Sequence, residues 1–300
     1  MKDRVLITGA NGMVAKKLGT YMQCQGYDVI FLSTKKNNKA PNVYFWNPEN
    51  KEIDLRSLNN VKHIVHLAGF SISNTWTKRN KSKMYKSRVE SCKFLFELLD
   101  KNKLKIDTFI TASASGYYGF NQNSSKTETD KPGTDWLAKI CKDWEMQASK
   151  FSKLEARVVK MRIPIILDKG AEILNKIILG LSFGQGIIFG NGRQSFPWIH
   201  IDDLVNFICF SIKNNNIKGA YNISSPENCS NYEFVETIRN LKFSYAILIK
   251  IPEFLIKILF YKKYVLLLNN LSLNTEKLRD TGFKWRFKST KLAMKDILEL

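Results

Sequence analysis

The sequence has few of the residues from which disulfide scaffolds and metal centres are built. Its five cysteines form no C-x-x-C pair, and its three histidines form no H-x-x-x-H pattern. We therefore expect reduced thiols and no metal site, and we exclude a disulfide framework or a zinc ribbon. No charged, apolar leader precedes the strand-like run at 4–9, so we expect no signal peptide and a cytoplasmic protein.

Acidic residues are scarce relative to basic ones. The chain has 27 Asp and Glu against 47 Lys and Arg, a formal charge of +20. Such an excess suits a nucleic acid or an anionic membrane. Because the basic residues are scattered over predicted loops and helix faces, we favour a solvated surface and no specific nucleic-acid partner. A polyanion or membrane-surface binder is the weaker alternative.

Long uninterrupted apolar runs are also missing. The segment 245–271 is rich in Ile, Leu, Phe and Tyr, but Lys250, Lys257, Lys262 and Lys263 interrupt it. We therefore predict no transmembrane segment. We favour an apolar face that packs into the C-terminal part of the chain, with the lysines in solvent. A basic amphipathic helix on a membrane surface is the alternative.

Apolar runs alternate with helical patterns through the first half of the chain. Predicted strands lie at 4–9, 28–32, 43–46, 63–69, 108–112, 157–163 and 220–223, and helices lie near 12–25, 79–102, 135–150 and 202–213. This alternation predicts a Rossmann-type α/β fold, with a doubly wound, mostly parallel, seven-stranded sheet and a smaller, mainly helical C-terminal lobe. We place one domain at 1–165 and 195–225, and the other at 166–194 and 226–300. Glycines make 180–193 loop-rich.

A glycine-rich turn joins the first strand to the first helix. Gly9 permits the tight exit from the strand, Gly12 lets amides approach a diphosphate, and Ala15 still allows close helix–strand packing. This position at a strand-to-helix junction indicates a dinucleotide site. The second strand ends in Ser33-Thr34-Lys35-Lys36, without the acidic residue that binds an NAD ribose. Hydroxyls and cations favour a 2′-phosphate, so we predict NADP(H) over NAD(H).

Several ordered motifs carry a resemblance to a known family. They are T-G-A-N-G-M-V at 8–14, H-L-A-G at 66–69, S-A-S-G-Y-Y-G at 113–119, W-E at 144–145 and P-W-I-H-I-D-D-L at 197–204. The chain resembles the epimerase-family branch of atypical extended short-chain dehydrogenases/reductases, which are NAD-dependent epimerase/dehydratase-like and have a small C-terminal domain. The likeness covers essentially the whole chain.

The resemblance implies a set of cofactor contacts. These are Gly9, Asn11, Gly12, Met13, Val14, Ser33, Thr34, Leu67, Ala68, Arg88 and Arg162, to which we add Ala10, Lys35 and Gly69 from the same loops. The chain departs from the family at Thr34, where Arg is usual, and at Pro164, which replaces a Gly. Lysine lacks the planar fork of arginine, so the 2′-phosphate would be held differently.

The catalytic Tyr/Lys pair of the superfamily is missing. None of the chain's tyrosines is followed by Lys four residues later, the spacing that places both side chains on one helix face. Alignment on Trp144-Glu145 puts Leu137 at the Tyr position and Cys141 at the Lys position. Neither can perform that acid–base chemistry.

Other side chains remain as candidates for catalysis. Ser113, Tyr117, Tyr118 and His200 have suitable groups, but the tyrosines could equally pack a loop and His200 could be a structural residue. The sequence thus predicts an NADP(H)-binding, epimerase-like oxidoreductase of an unidentified small molecule, such as a nucleotide sugar or a carbonyl compound. The alternative is an inactive NADP(H) sensor or binding protein. A homodimer is left open.

Overall fold

The computed structural model describes residues 2–36, 40–120 and 124–300. These residues form two compact units. The first comprises the described residues within Met1–Tyr117, Trp136–Arg162 and Val205–Tyr221, and the second comprises those within Tyr118–Asp135, Ile163–Leu204 and Asn222–Leu300.

Strands and α-helices are numbered separately, each in chain order. The strands are β1 Arg4–Thr8, β2 Asp28–Ser33, β3 Val43–Asn47, β4 Glu52–Ile53, β5 Val61–His66, β6 Thr108–Ala114, β7 Ser125–Lys126, β8 Arg157–Ile163, β9 Ile165–Leu167, β10 Gln185–Phe189, β11 Trp198–His200, β12 Gly219–Asn222, β13 Ile247–Ile251 and β14 Ser272–Leu273. The α-helices are α1 Met13–Cys24, α2 Lys78–Tyr85, α3 Ser91–Lys101, α4 Trp136–Ser149, α5 Glu172–Ser182, α6 Ile201–Lys213, α7 Asn231–Lys242, α8 Glu253–Phe260, α9 Tyr264–Leu267, α10 Glu276–Asp280 and α11 Thr290–Leu298.

The first unit is built on a large sheet in the order β12-β8-β6-β5-β1-β2-β3-β4. Strand β1 pairs in parallel with β2 and β5, and the pairs β2–β3 and β5–β6 are also parallel. The predicted α/β Rossmann-type class with a mostly parallel sheet is confirmed. The sheet has eight strands in the described residues where seven were predicted, because the two-residue β4 folds back antiparallel on β3.

Local sequence signals set the ends of the first helices. Gly26 follows α1 with φ of +88°, a conformation that costs glycine little, so the predicted helix stop is in place. The long helix predicted at 79–102 is continuous but changes pitch, since a π-helical segment, Lys86–Glu90, joins α2 to α3. Within it, Arg88 donates to the carbonyl of Met84 at 3.2 Å. Such π segments frequently occur at functional sites.

The second unit contains three small parallel sheets, β10–β13, β9–β11 and β7–β14, with helices. The sequence indicated a loop-rich stretch around 180–193, and this is wrong in part, because α5 and β10 occupy it. The glycines stand at the ends of these elements or under close packing. Gly184 turns the chain between them with φ of +81°, and a Cβ on Gly186 would lie 2.5 Å from the side chain of Leu248.

The apolar segment 245–271 folds as β13, α8 and α9, with short turns between them. In α8 only Ile256 is buried, whereas Phe254, Ile258 and Leu259 are 62%, 71% and 71% exposed. The favoured packing of this apolar face into the C-terminal part is therefore wrong for α8. Among the described residues no helix has both the length and the apolarity that a membrane span requires.

Candidate functional site

The turn between β1 and α1 is shaped by two glycines. Gly9 has φ of +80°, and a Cβ there would lie 3.2 Å from the Cα of Ala68 and 3.3 Å from the carbonyl of Leu67. A Cβ on Gly12 would lie 3.2 Å from the carbonyl of Gly9. A side chain at either position would therefore press against backbone atoms, and at Gly9 the positive φ would add strain. The backbone here comes close to the loop after β5.

The start of α1 offers amides without partners inside the helix. The amides of Gly9 and Ala10 donate to the carbonyl of Leu32, and that of Gly12 donates to Gly9. The next amides, of Met13 and Val14, belong to the first helical turn, which has no intrahelical acceptor for them. The N-cap, Gly12, supplies no capping side chain, and the first turn contains no acidic residue. This arrangement suits an external anion.

A buried hydrogen-bonded chain fixes the loop after β5. The hydroxyl oxygen of Thr8 accepts from the amides of Leu67 and Ala68 at 3.0 Å each. Both lone pairs are then used, so the Thr8 hydroxyl donates to Nδ1 of His66, 2.9 Å away. Nε2 of His66 consequently carries the proton and donates to Ser91 Oγ at 3.2 Å. Ser91 in turn donates to a carbonyl one helical turn earlier, at 2.7 Å.

This chain requires a neutral imidazole. Burial lowers the pKa of His66 to about 4. The folded protein therefore binds this proton less readily than the unfolded chain, whose histidine titrates near 6.5. The stability that the neutral ring provides is complete above pH 6.5 and is lost as the pH falls towards 4.

We therefore predict an acid-dependent loss of stability at His66. Between pH 7 and 4 the ring should reduce the free energy of unfolding by about 3 kcal/mol, at 1.36 kcal/mol per unit of pKa. Urea unfolding of the parent and of His66→Gln across this range measures the effect as a shrinking difference between the two proteins. Ser91→Ala is the matched control, since it removes a partner but keeps the titrating ring. Parallel pH profiles for the parent and His66→Gln would contradict the prediction.

The end of β2 carries the predicted 2′-phosphate residues. Ser33 is buried, and its hydroxyl oxygen accepts from the amide of Lys35 at 3.2 Å and from the Asn11 side chain at 3.4 Å. Thr34 and Lys35 are exposed. The ammonium of Lys36 lies 5.3 Å from the centre of the Phe45 ring. Lys35 is thus exposed, and its amide shares the Ser33 hydroxyl with the side chain of Asn11 in the glycine-rich turn.

Arg88 supplies a second cation beside the loop after β5. Its guanidinium donates to the carbonyl of Phe70 at 2.8 Å, and a Cβ on Gly69 would come within 3.0 Å of it. Burial lowers the pKa of Arg88. In the part of the chain that the structure describes, no carboxylate forms an ion pair with this guanidinium. A partly desolvated cation of this kind can be compensated by a bound anion.

Arg162, in contrast, is paired within the protein. Its guanidinium donates to both carboxylate oxygens of Glu145, at 2.9 and 3.0 Å, and both residues are buried. Ser113 donates to the same carboxylate at 2.8 Å. The guanidinium carbon also lies 3.5 Å from the centre of the Tyr117 ring. The structure thus brings Ser113, Tyr117 and Arg162 together around a carboxylate.

Tyr117 is the half-buried member of this cluster. Burial raises the pKa of Tyr117, and the opposing effect of Arg162 is smaller. The phenol therefore keeps its proton at neutral pH and could donate it. Leu137 and Cys141 both lie next to Gly116, because a Cβ on Gly116 would be 3.9 Å from Leu137 Cβ and 4.0 Å from Cys141 Sγ. The assignment of these two residues to the superfamily's Tyr and Lys positions stays a prediction.

The other two catalytic candidates lie in the second unit. Tyr118 is buried and its hydroxyl donates to Asn222 at 2.6 Å. His200 is buried against the Phe287 ring, with centroids 3.8 Å apart, and its Nδ1 accepts from the amide of Asp202 at 3.2 Å. Both geometries suit structural roles, and their catalytic roles stay predictions.

A group of ligand-type side chains surrounds His200. Its ring nitrogens lie 3.9 Å from Asp202 and 3.5 Å from Asp296. The guanidinium of Arg286 lies 3.5 Å from Asp202 and 3.7 Å from Asp296. An arginine therefore already supplies positive charge to these carboxylates.

Sequence reasoning gave no role to Glu145 or to the chain through His66. Glu145 lies on the buried face of α4, among Ala138, Cys141 and Trp144. A carboxylate at a helical spacing that otherwise holds apolar residues predicts a buried cationic partner. That signal was present in the sequence. The partner itself, Arg162 on β8, could not be chosen without the fold.

Comparisons with known proteins point to one family. The model of the NAD dependent epimerase/dehydratase family matches residues 5–224. An epimerase family protein of Staphylococcus epidermidis is 28% identical over 302 residues, 99% of each chain. One from Mycobacterium leprae is 30% identical over 234 residues, 78% of this chain and 75% of its own.

Solved structures show the same fold. The crystal structure of the human epimerase family protein SDR39U1 (isoform 2) with NADPH has a TM-score of 0.87, 23% identity and coverage of 99% of both chains. The nucleoside-diphosphate sugar epimerase of Corynebacterium glutamicum has a TM-score of 0.79 and 27% identity. That match covers 99% of this chain and 58% of the Corynebacterium chain.

Proposed function

The chain belongs to the NAD dependent epimerase/dehydratase family, and from this premise we propose that it binds NADP(H) as an epimerase-like oxidoreductase of an unidentified small molecule. One observation carries the proposal. The β1–α1 turn leaves the amides of Met13 and Val14 uncapped, and a Cβ at Gly9 or Gly12 would lie only 3.2 Å from a backbone atom. Dinucleotide diphosphates bind at such helix starts.

NADP(H) is favoured over NAD(H) by the end of β2. No carboxylate follows the strand there, and Thr34 and Lys35 are exposed next to buried Ser33. A carboxylate would repel a 2′-phosphate, whereas hydroxyls and an ammonium can bind one. The human relative whose structure contains NADPH supports the choice.

We predict that Lys35→Glu weakens NADPH binding at least about tenfold, because it replaces a charge-assisted contact worth 1.5–3 kcal/mol by repulsion. NADH, which lacks the 2′-phosphate, should bind about as well as before. Titration of cofactor fluorescence with both coenzymes measures this change of preference. Lys101→Glu, an exposed lysine at the end of α3, is the matched control. An equal loss for NADPH and NADH would contradict the assignment of Lys35.

Within the proposed reaction, the bound coenzyme supplies or accepts hydride. Tyr117 is our choice as proton donor to a substrate oxygen, because its phenol is protonated and half-buried. Arg162 holds the Tyr117 ring from one face. Ser113 donates its proton to Glu145, so its oxygen is available to the substrate only as an acceptor.

An NADP(H) sensor without turnover is the second candidate. Leu137 and Cys141 favour it, since neither can replace the superfamily's Tyr/Lys pair. A panel of nucleotide sugars and small carbonyl compounds, followed by NADPH absorbance, separates the two. Turnover that Tyr117→Phe abolishes supports the enzyme, whereas unequal affinities for NADPH and NADP⁺ without turnover support the sensor.

We also propose a reducing, cytoplasmic location. Among the residues that the structure describes, none of the five cysteines forms a disulfide, and four of them are buried. Disulfides are rare in that compartment. A homodimer stays a prediction.

A further inference from the structure

Helix α8 turns its apolar side to the solvent. At 100° per residue, Phe254, Ile258, Leu255 and Leu259 form one continuous arc of about 140° on the helix surface, in which Phe254 and Ile258 lie opposite the buried Ile256, and all four are exposed. Tyr261, immediately after the helix, is 71% exposed. We call these five residues the apolar ridge. Soluble monomers rarely expose contiguous apolar patches of this kind, so the ridge calls for a ligand or partner that covers it.

Lysines outnumber acidic residues in the segment that carries the apolar ridge. The segment 245–271 contains four lysines and one acidic residue, Glu253, which gives a formal charge of +3. Lys250, Lys257 and Lys262 are exposed. The ammonium of Lys262 lies 5.3 Å from the centre of the Tyr261 ring. A partner that covers the ridge should therefore present an apolar contact area together with negatively charged groups that meet the lysines.

We propose that the apolar ridge docks this protein on the surface of an anionic lipid bilayer. Phe254, Ile258 and Leu259 would enter the boundary between headgroups and acyl chains, while the lysine stems lie along it and their ammonium groups meet lipid phosphates. The net charge of +20 attracts the whole chain to such a surface.

Two other occupants fit less well. A second copy of the chain would bring a second set of four lysines against the first, and the like charges would repel. Lysine is also depleted in protein–protein interfaces, which argues against a protein partner. An anionic bilayer offers acyl chains to the apolar side chains and phosphates to the lysines.

Flotation of the purified full chain with lipid vesicles tests the proposal. We expect binding to vesicles that contain phosphatidylglycerol, weaker binding as salt increases, and little binding to pure phosphatidylcholine. Ile258→Ser with Leu259→Ser should reduce the bound fraction at least about tenfold, because two apolar side chains no longer enter the lipid. Leu55→Ser with Leu292→Ser, two exposed leucines elsewhere, is the matched control and should bind like the parent.

Three outcomes would overturn the proposal. The first is no vesicle binding by the parent chain. The second is equal binding by the ridge and control variants, which would reduce the effect to general charge attraction. The third is a concentration-dependent dimer or a protein complex that the ridge variants abolish without any binding to vesicles. Urea unfolding of every variant reports a folded chain, and NADPH binding, measured alongside it, tests the proposed function separately.

Discussion

Replacing Gly12 by valine is expected to weaken NADPH binding at least about a hundredfold, since each lost hydrogen bond to a charged phosphate contributes 1.5–3 kcal/mol and two are affected. A Cβ at this position would lie 3.2 Å from the carbonyl of Gly9. Valine would therefore push the turn apart and place methyl groups where the diphosphate approaches the amides of Met13 and Val14.

The fold should survive this substitution. Gly12 has φ of −71°, which valine adopts readily, and the residue is exposed. Gly170→Val is the matched control, because a Cβ there meets nothing within 4 Å and its φ is ordinary. Calorimetric titration with NADPH measures the affinity, and urea unfolding confirms the fold. Unchanged affinity in Gly12→Val would remove the phosphate cradle from the proposed function.

The close approach of backbone atoms to Gly9, in the same turn, could not be predicted from the sequence. Both Gly9 and Gly26 have positive φ, +80° and +88°, but only Gly9 has backbone atoms next to its missing Cβ. The sequence pattern named Gly9 as part of a nucleotide turn. It could not show that the loop after β5 comes so close, because this proximity depends on the pairing of β1 with β5.

The strands and helices of the first unit were largely predictable. Strand β8 has the predicted bounds, and α1 and α4 end within one residue of prediction. Apolar runs and the stop at Gly26 are local signals, and local signals set these elements. The π-helical segment at Lys86–Glu90 has no such signal in the sequence.

The second unit was harder to predict. Its glycines indicated a loop, yet α5 and β10 occupy the stretch, since Gly186 packs under Leu248 from a strand some sixty residues later in the chain. For helix α8 the prediction that its apolar face is buried was wrong for a different reason. An amphipathic pattern indicates which residues share a face, but it does not indicate whether the protein covers that face.

Some site residues could be predicted from local motifs, whereas the roles of others depend on the fold. The candidate cofactor positions came from short motifs, and the structure gathers Gly9, Gly12 and Ser33 near one another through the parallel order of β1 and β2. The roles of Arg88 and Arg162 could not be distinguished from sequence. Only the fold shows that Glu145 already pairs with Arg162, whereas the Arg88 guanidinium donates to the backbone carbonyls of Phe70 and Met84.

Replacing Glu145 by glutamine should destabilise the protein strongly, because it leaves the buried guanidinium of Arg162 without a counter-charge. Breaking one side of a buried ion pair costs about 3–5 kcal/mol. Because the pair is bidentate and Ser113 adds a further hydrogen bond, we expect a loss near the upper end of this range. Urea unfolding of Glu145→Gln measures the loss directly.

Two controls separate charge burial from other causes. Glu155→Gln breaks the ion pair with Lys105, 2.6 Å long but exposed on both sides, and should leave stability unchanged within error. Glu145→Met combined with Arg162→Met replaces the buried pair by apolar groups and should recover most of the stability that Glu145→Gln loses. If the double variant is no more stable than Glu145→Gln, packing rather than an uncompensated charge accounts for the loss. If Glu145→Gln is as stable as the parent, the buried guanidinium finds other compensation, and the contrast drawn between Arg162 and Arg88 fails with it.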